Sequence, residues 1–333
     1  MRARWTAAVA VGALLLVACG CDLLFGNDAP LARVSTPHLE GYAPLAVRLD
    51  AGESTDADGE IVVYRWRFGD GAESQGVRTF HTFVEPGQYT VRLEVVDDRG
   101  AIGTASISVD VREVPPGHLL RRFAWEIDGR EQAWDLLIPE SLYDDYRSRP
   151  PTTYADRYRY DAYVLDPVDD PTLEDFARAL ANRVGGDEEA FLEGTLAFVQ
   201  GAIRYVPDPP LLERPRYPLE TLVDGEGDCE DAAILFVSLV NARGAGASMV
   251  FVDTNGDRTP DHVAALVPVP DDYSARVLCT GGRRETLLVY DGALVAFAEA
   301  AADIPVTGYI PLGCDPWNLT EEDVIERWTF DAQ

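Results

Sequence analysis

The chain has 333 residues, 47% of them hydrophobic and 10% aromatic, a composition of folded rather than disordered protein and a length sufficient for two domains. Its 57 acids face 28 bases, every one an arginine, for a formal charge of −29. Such a surface repels phosphate backbones and anionic headgroups, which excludes nucleic acid, and an electrostatically bound membrane, as partners.

The N-terminus reads as a targeting segment. Arg2 and Arg4 precede an apolar core, Ala7 to Val17, too short to span a bilayer stably. The core ends in Leu16-Val17-Ala18-Cys19, which resembles the lipobox of bacterial lipoproteins. That resemblance implies a signal peptide over residues 1–18, cleavage before Cys19, and lipids on the Cys19 thiol and the new amine. The alternative is an ordinary secretory signal cut after Ala18. Either places the mature chain outside the cytoplasm, in the cell envelope, where disulfides persist. Residues 19–30 then form the tether.

From Leu31 to about Val111 short alternating segments follow one another: Ala46 to Asp50, Ile61 to Phe68 and Tyr89 to Val95. They are separated by Asp58-Gly59, Gly69-Asp70-Gly71 and Pro86-Gly87, a pattern that predicts an all-β sandwich. Asp50 to Gly59, then Tyr64-Arg65-Trp66-Arg67-Phe68-Gly69-Asp70-Gly71, His81-Thr82-Phe83 and Pro86 to Val91 are similar to the PKD domain. The resemblance covers residues 31–112. It implies an immunoglobulin-like sandwich that serves extracellular proteins as a spacer or interaction module, without catalysis. His81 then belongs to the fold, and Asp56 and Asp58 to turns, with a cation as the alternative.

Residues 113–117, Glu-Val-Pro-Pro-Gly, read as the linker to a second domain over residues 118–333. A strand pair is predicted at Phe123–Ile127 and Trp134–Ile138, turning on Asp128-Gly129. Tyr143 to Tyr163 shows little period. Thr172-Leu173-Glu174-Asp175 has the form of a capping box for a helix towards Val184, and Gly185-Gly186-Asp187 separates it from a second helix, Glu188 to Ile203.

The chemistry gathers at Gly225-Glu226-Gly227-Asp228-Cys229-Glu230-Asp231. The apolar run Ile234 to Val240 predicts a buried helix that Cys229 opens and Arg243-Gly244 ends. A helix N-terminus favours negative charge, so the Cys229 thiol is expected to have a lowered pKa and to read as a nucleophile. The other reading is a buried structural cysteine. Strands follow at Ser248–Val252 and His262–Val269, and a hairpin turns on Asp291-Gly292. His262, at the start of its strand, is the candidate base.

Tyr217-Pro218-Leu219-Glu220-Thr221-Leu222, then Gly225, Gly227 to Ala232, and His262-Val263 resemble the transglutaminase-like superfamily, over about residues 179–312. The resemblance implies an α+β, papain-like fold in which a cysteine-bearing helix packs on strands bearing histidine and an acid. It further implies acyl transfer. Cys229 attacks a carboxamide or peptide carbonyl to form a thioester, His262 moves the proton, and an acid orients the ring. Water as second substrate gives hydrolysis or deamidation, and an amine gives a crosslink. Glu299 matches the family's acid-bearing stretch, although the family uses aspartate there, and Asp291 is the other candidate.

The chemistry requires no cofactor. Asp253, Asn255, Asp257 and Asp261 have the spacing of a calcium loop, with Arg258 where glycine is usual and Ala264 where a closing glutamate is usual. A plain acidic turn is the alternative. Cys279 and Cys314, both late in the chain, are assigned to a disulfide. The expected protein is a lipid-anchored surface enzyme acting on protein or peptide substrates, protease or amidase ahead of crosslinking. The alternative is a non-catalytic interaction scaffold using the PKD domain.

Overall fold

The structure, a computed structural model, describes residues 26–36, 39–127, 129–149, 160–164, 170–185, 187–209, 214–273, 279, 284–301, 309–317 and 319–330. The signal segment, Cys19 and Cys21 lie outside the described residues. The chain divides into two compact units, Met1–Glu113 and Val114–Gln333, and the division falls in the proline-rich stretch.

The first unit is a β-sandwich. Strands β1 (Glu40–Tyr42), β3 (Ile61–Arg67), β4 (Glu73–Gln75), β6 (Gly87–Asp97) and β7 (Ile102–Arg112) form one sheet in the order β1-β7-β6-β3-β4, and β2 (Leu45–Asp50) pairs with β5 (Arg78–Phe83). The period-two pattern decides which side chains enter. Leu45, Val47 and Leu49 from β2 and Val91, Leu93 and Val95 from β6 meet Trp66, Phe68 and Phe83 in one core. Trp66 is fully buried, and its indole N–H donates to the Gly76 carbonyl at 2.9 Å. His81 stacks on Phe68 at 3.9 Å and bonds to Asp70 at 2.6 Å, so it serves the sandwich as expected.

The second unit mixes helices and sheet. A hairpin, β8 (His118–Ile127) with β9 (Arg130–Pro139), leads into α1 (Glu140–Ser148), α2 (Asp161–Val164), α3 (Asp170–Val184) and α4 (Glu188–Ala202). After β10 (Arg204–Tyr205) come α5 (Pro218–Asp224), β11 (Glu226–Gly227) and α6 (Cys229–Asn241). The remaining strands are β12 (Ser248–Val252), β13 (His262–Pro268), β14 (Arg284–Glu285), β15 (Leu287–Tyr290), β16 (Ala293–Ala298), β17 (Cys314–Asp315) and β18 (Val324–Thr329). An antiparallel sheet runs β15-β16-β13-β12-β18. One of its faces, with Met249, Phe251, Val263, Ala265 and Val267, joins the main core with α6; the other, with Val250, Val252, Ala264, Leu266 and Phe297, forms a separate core. Because both faces are covered, β12 and the interior of β13 are buried throughout. Helix α4, which packs on α6 and β8, sends Phe198 into an edge-on aromatic cluster with Phe123, Trp125 and Trp134 at 5.1–5.5 Å.

Two local expectations change, and one strand lies where none was expected. The stretch Tyr143 to Tyr163 contains part of α1 and α2; α1 buries only Tyr146, so it leaves little apolar period to read. Helix α3 begins at Asp170, because Pro171 suits a first turn and carries the helix past Thr172, which is therefore not its cap. Strand β18 has no signal of its own in the sequence and exists as the partner of β12.

Candidate active site

Two glycines shape the turn before the cysteine. Gly225 closes α5 at φ 68°, a left-handed conformation that L side chains rarely adopt, and donates its N–H to Thr221 O at 2.9 Å. Gly227 is required by proximity: a Cβ there would lie 2.5 Å from the Asp231 Cβ. Gly227→Ala is therefore expected to destabilise the second unit by about 1–3 kcal/mol through overpacking, read as a lower denaturation midpoint.

Asp228 is the N-cap residue of α6 and Cys229 its first residue. Asp231, one turn in and fully buried, accepts the Asp228 N–H at 3.4 Å and the Arg216 N–H at 2.6 Å, and forms an ion pair with the Arg216 guanidinium. These bonds tie the approach segment to the helix start. Helix α6 packs on β13, the Val263 N–H near the start of that strand acts on the Cys229 sulfur in favour of its anion, and the thiol donates to Glu230 Oε2 at 3.3 Å.

His262 opens β13 opposite Val252. Its Nε2 lies 2.8 Å from Glu299 Oε2. With a carboxylate as the acceptor, this bond takes the Nε2–H tautomer, in which Nδ1 keeps its lone pair. Glu299, fully buried just past β16, accepts the Ala301 N–H through Oε1 at 2.9 Å. Gln200 of α4 donates to the Glu299 carbonyl at 2.7 Å and to the Ile310 carbonyl at 3.0 Å, and accepts the Ile310 N–H at 2.9 Å. The structure thus joins His262 to Glu299. Asp291 instead sits exposed in the β15–β16 turn at φ 51°.

The lowered thiol pKa expected of Cys229 does not hold. Burial pushes the thiol well up, and the Glu230 and Asp228 carboxylates add to it; the Val263 N–H opposes this without reversing it. A helix N-terminus supplies only about 0.3–1 kcal/mol in favour of the anion, too little against desolvation and two flanking negative charges. The resting sulfur is a thiol.

Those carboxylates have a second consequence. One oxygen each from Asp208, Asp228 and Glu230 lies within 4.8 Å of the others, and Asp228 Oδ1 is buried without a hydrogen-bond partner. Such a set of hard oxygen donors fits a divalent cation of the calcium type. The loop from Asp253 to Asp261 is occupied with itself. Asp253 Oδ1 accepts the N–H groups of Asn255, Gly256 and Asp257, and Asp261 takes Thr254 N–H at 2.8 Å and Asn255 Nδ2 at 2.7 Å. Burial alone would raise the Asp253 pKa; the donors from Arg258, Gly256, Asn255 and Asp257 outweigh it and lower the value. Arg258 adopts φ 67°, the conformation glycine takes in calcium loops of this spacing. Cys279 and Cys314 are joined by a disulfide, with Cα atoms 5.6 Å apart.

Gln200 and Arg216 carry no sequence signal, because their partners are brought to them only by the fold. Asp228 and Glu230 stood in plain view beside Cys229, and the charge they place on the thiol was legible there.

Residues 27–111 match the family described as PKD domain. Collagenase ColA of Clostridium perfringens (strain 13 / Type A) is 30% identical over 119 residues, 34% of this chain and 10% of that protein. Pre-pro-metalloprotease PrtV of Vibrio cholerae serotype O1 (strain M66-2) is 35% identical over 92 residues, 27% of this chain and 10% of that protein. The solved PKD1 domain of Vibrio anguillarum Epp is 38% identical, covering 27% of this chain and all of that one, with a TM-score of 0.24. The chain thus spans about a tenth of the length of the curated relatives it matches. Residues 27–111 are a PKD domain, homologous to those of collagenases and metalloproteases.

Proposed function

We propose that the second unit is a transglutaminase-like thiol enzyme. In this reading it forms a thioester on protein or peptide substrates and releases it chiefly to water, as a protease or amidase. The PKD domain is its spacer or interaction module, and the lipobox-like segment anchors it by Cys19 outside the cytoplasm. The observation that carries the reading is the 2.8 Å bond between His262 Nε2 and Glu299, which leaves Nδ1 as a base on the strand that also contacts the Cys229 sulfur.

Because the resting group is a thiol, proton transfer accompanies attack. The sulfur forms a bond to the carbonyl carbon, the C=O π pair moves to oxygen, and the S–H proton passes to Nδ1. Collapse breaks the C–N bond, and the departing amine takes the proton from Nδ1. Water then attacks the thioester, gives a proton to Nδ1, and the sulfur leaves with it. Glu299 stays ionised and holds the imidazolium. Asp208, Asp228 and Glu230 would hold calcium, which supplies positive charge that offsets the two carboxylates raising the Cys229 pKa.

Iodoacetamide labelling of the chain from residue 22, at neutral pH, tests this. A single adduct on Cys229 is expected, forming about tenfold more slowly in His262→Ala and faster when calcium is added. Labelling that ignores both His262 and calcium would leave an inert buried cysteine, and the interaction-scaffold reading would take its place.

A further inference from the structure

We propose that Trp317 is a positioning residue for His262, and that the Cys279–Cys314 disulfide holds it there, so that reduction of the disulfide disarms the site. The inference rests on the cysteine-enzyme reading above.

The imidazole of His262 has one hydrogen-bonded edge, Nε2 to Glu299. A single bond fixes where the ring ends and leaves the ring plane free to turn about it; the plane is set by what lies on its face. That neighbour is the Trp317 indole, with ring centroids 4.6 Å apart and planes inclined at 52°. Nδ1 is useful only when the plane aims it at the sulfur, so the indole controls the direction of the base as Glu299 controls its tautomer.

Trp317 has little secondary structure to hold it. It follows β17, a strand of two residues paired, among the described residues, with the two residues of β14. Its side chain packs on the core that holds Val250, Val252 and Phe297, and two constraints hold its backbone. Asp315, fully buried, accepts the Trp317 N–H at 2.7 Å and the Leu319 N–H at 3.2 Å through Oδ1, and the Thr286 hydroxyl through Oδ2. Cys314, the residue before it and also fully buried, is bonded to Cys279 across a separation of 35 residues. A ladder this short is marginal alone, and the cross-link limits how far its strand can move. Two residues therefore separate a reducible bond from the ring that faces the base. Cys229, the one free cysteine among the described residues, is unchanged by a reductant.

The test uses the chain from residue 22 and two readouts. In a two-dimensional proton–carbon NMR spectrum the imidazole signals of the four histidines are resolved, with His262→Asn giving the assignment. The His262 signal is expected at a position displaced by the indole ring current. It should shift in Trp317→Ala and, to a similar extent, in the Cys279→Ser/Cys314→Ser double variant, while the His81 signal stays in place. Iodoacetamide labelling of Cys229 should slow about tenfold in both, within the ~10²-fold that a 1 Å misplacement can cost, and recover to within about threefold in Trp317→Phe. Should the double variant fail to fold by far-UV circular dichroism, the parent reduced with dithiothreitol replaces it. A His262 signal and labelling rate unchanged in Trp317→Ala overturn the proposal, and changes in Trp317→Ala but not on loss of the disulfide overturn its redox half. A parent that does not label at all removes the enzyme reading, and the NMR arm then decides by itself whether Trp317 sets the ring.

Discussion

Glu299→Ala is expected to slow thioester formation about 10³-fold while leaving the protein folded. In the proposed mechanism Glu299 does two things that no other described residue does for His262. It keeps the hydrogen on Nε2, so that Nδ1 is the base, and it stabilises the imidazolium formed as the sulfur attacks. Loss of the acid in a comparable triad costs up to about 10⁴-fold. Glu299 is fully buried, and its carboxylate is bonded to His262 and to the Ala301 N–H, so the effect is local to the site. A glutamine at this position can instead donate to Nε2 and favour the wrong tautomer, so Glu299→Gln should be nearly as slow; Glu299→Asp, shorter by one carbon, should fall between. The substrate need not be known: the burst of nitrophenolate from p-nitrophenyl acetate reports acylation of any competent thiol. Asp291→Ala, at the exposed hairpin turn, should leave the burst intact. Equal bursts from parent and Glu299→Ala would dissolve the proposed triad.

Arg216→Ala is expected to destabilise the second unit by about 3–5 kcal/mol at pH 8, because it strands the fully buried Asp231 without its cation. The loss should be smaller at pH 5. Burial, and then repulsion from Asp228, raise the Asp231 pKa to about 7 even though Arg216 pulls it down. The sign follows from linkage. A carboxyl whose folded pKa lies above its unfolded value of 3.8 binds more protons in the native state, so its stabilising contribution is complete below about pH 4 and is lost as pH rises through 7. Without Arg216 the folded pKa climbs further, and protonation at pH 5 spares the variant part of the cost. Denaturant midpoints of parent, Arg216→Ala and Asp231→Asn at pH 5 and pH 8 separate these terms. Asp231→Asn should flatten the decline between the two pH values relative to the parent. A parent-to-Arg216→Ala difference that is the same at both pH values would mean that Asp231 stays ionised throughout, and that the ion pair dominates burial.

The first unit was legible almost in full. Alternation in β2, β3 and β6, with glycine-bearing turns between them, predicts a sandwich, and the motif residues around Trp66-Arg67-Phe68-Gly69-Asp70-Gly71 match the PKD domain. Alternation is a local property, and a sandwich consumes it directly. The helix at Cys229 was legible for a similar reason: a glycine-framed turn, an acidic cap and an apolar run are all local signals. Helix α1 and strand β18 were not, since one buries a single side chain and the other is defined by the strand it joins.

The same division runs through the site. Residue type and order singled out Cys229 and His262, because nucleophile and base are chemical identities that a chain carries with it, and the family resemblance placed Glu299 ahead of Asp291. What they amount to was decided by tertiary structure. Burial and the neighbours Asp228 and Glu230 overrode the helix dipole at the thiol, for desolvation depends on every layer packed over a group while the dipole depends only on its own helix. Packing of α4 brought Gln200 to the Glu299 carbonyl, and the return of the chain after β17 brought Trp317 to the His262 ring. Contacts between residues 99 and 55 positions apart leave no mark on local sequence; they exist only once the sheet and the helices have closed around the site.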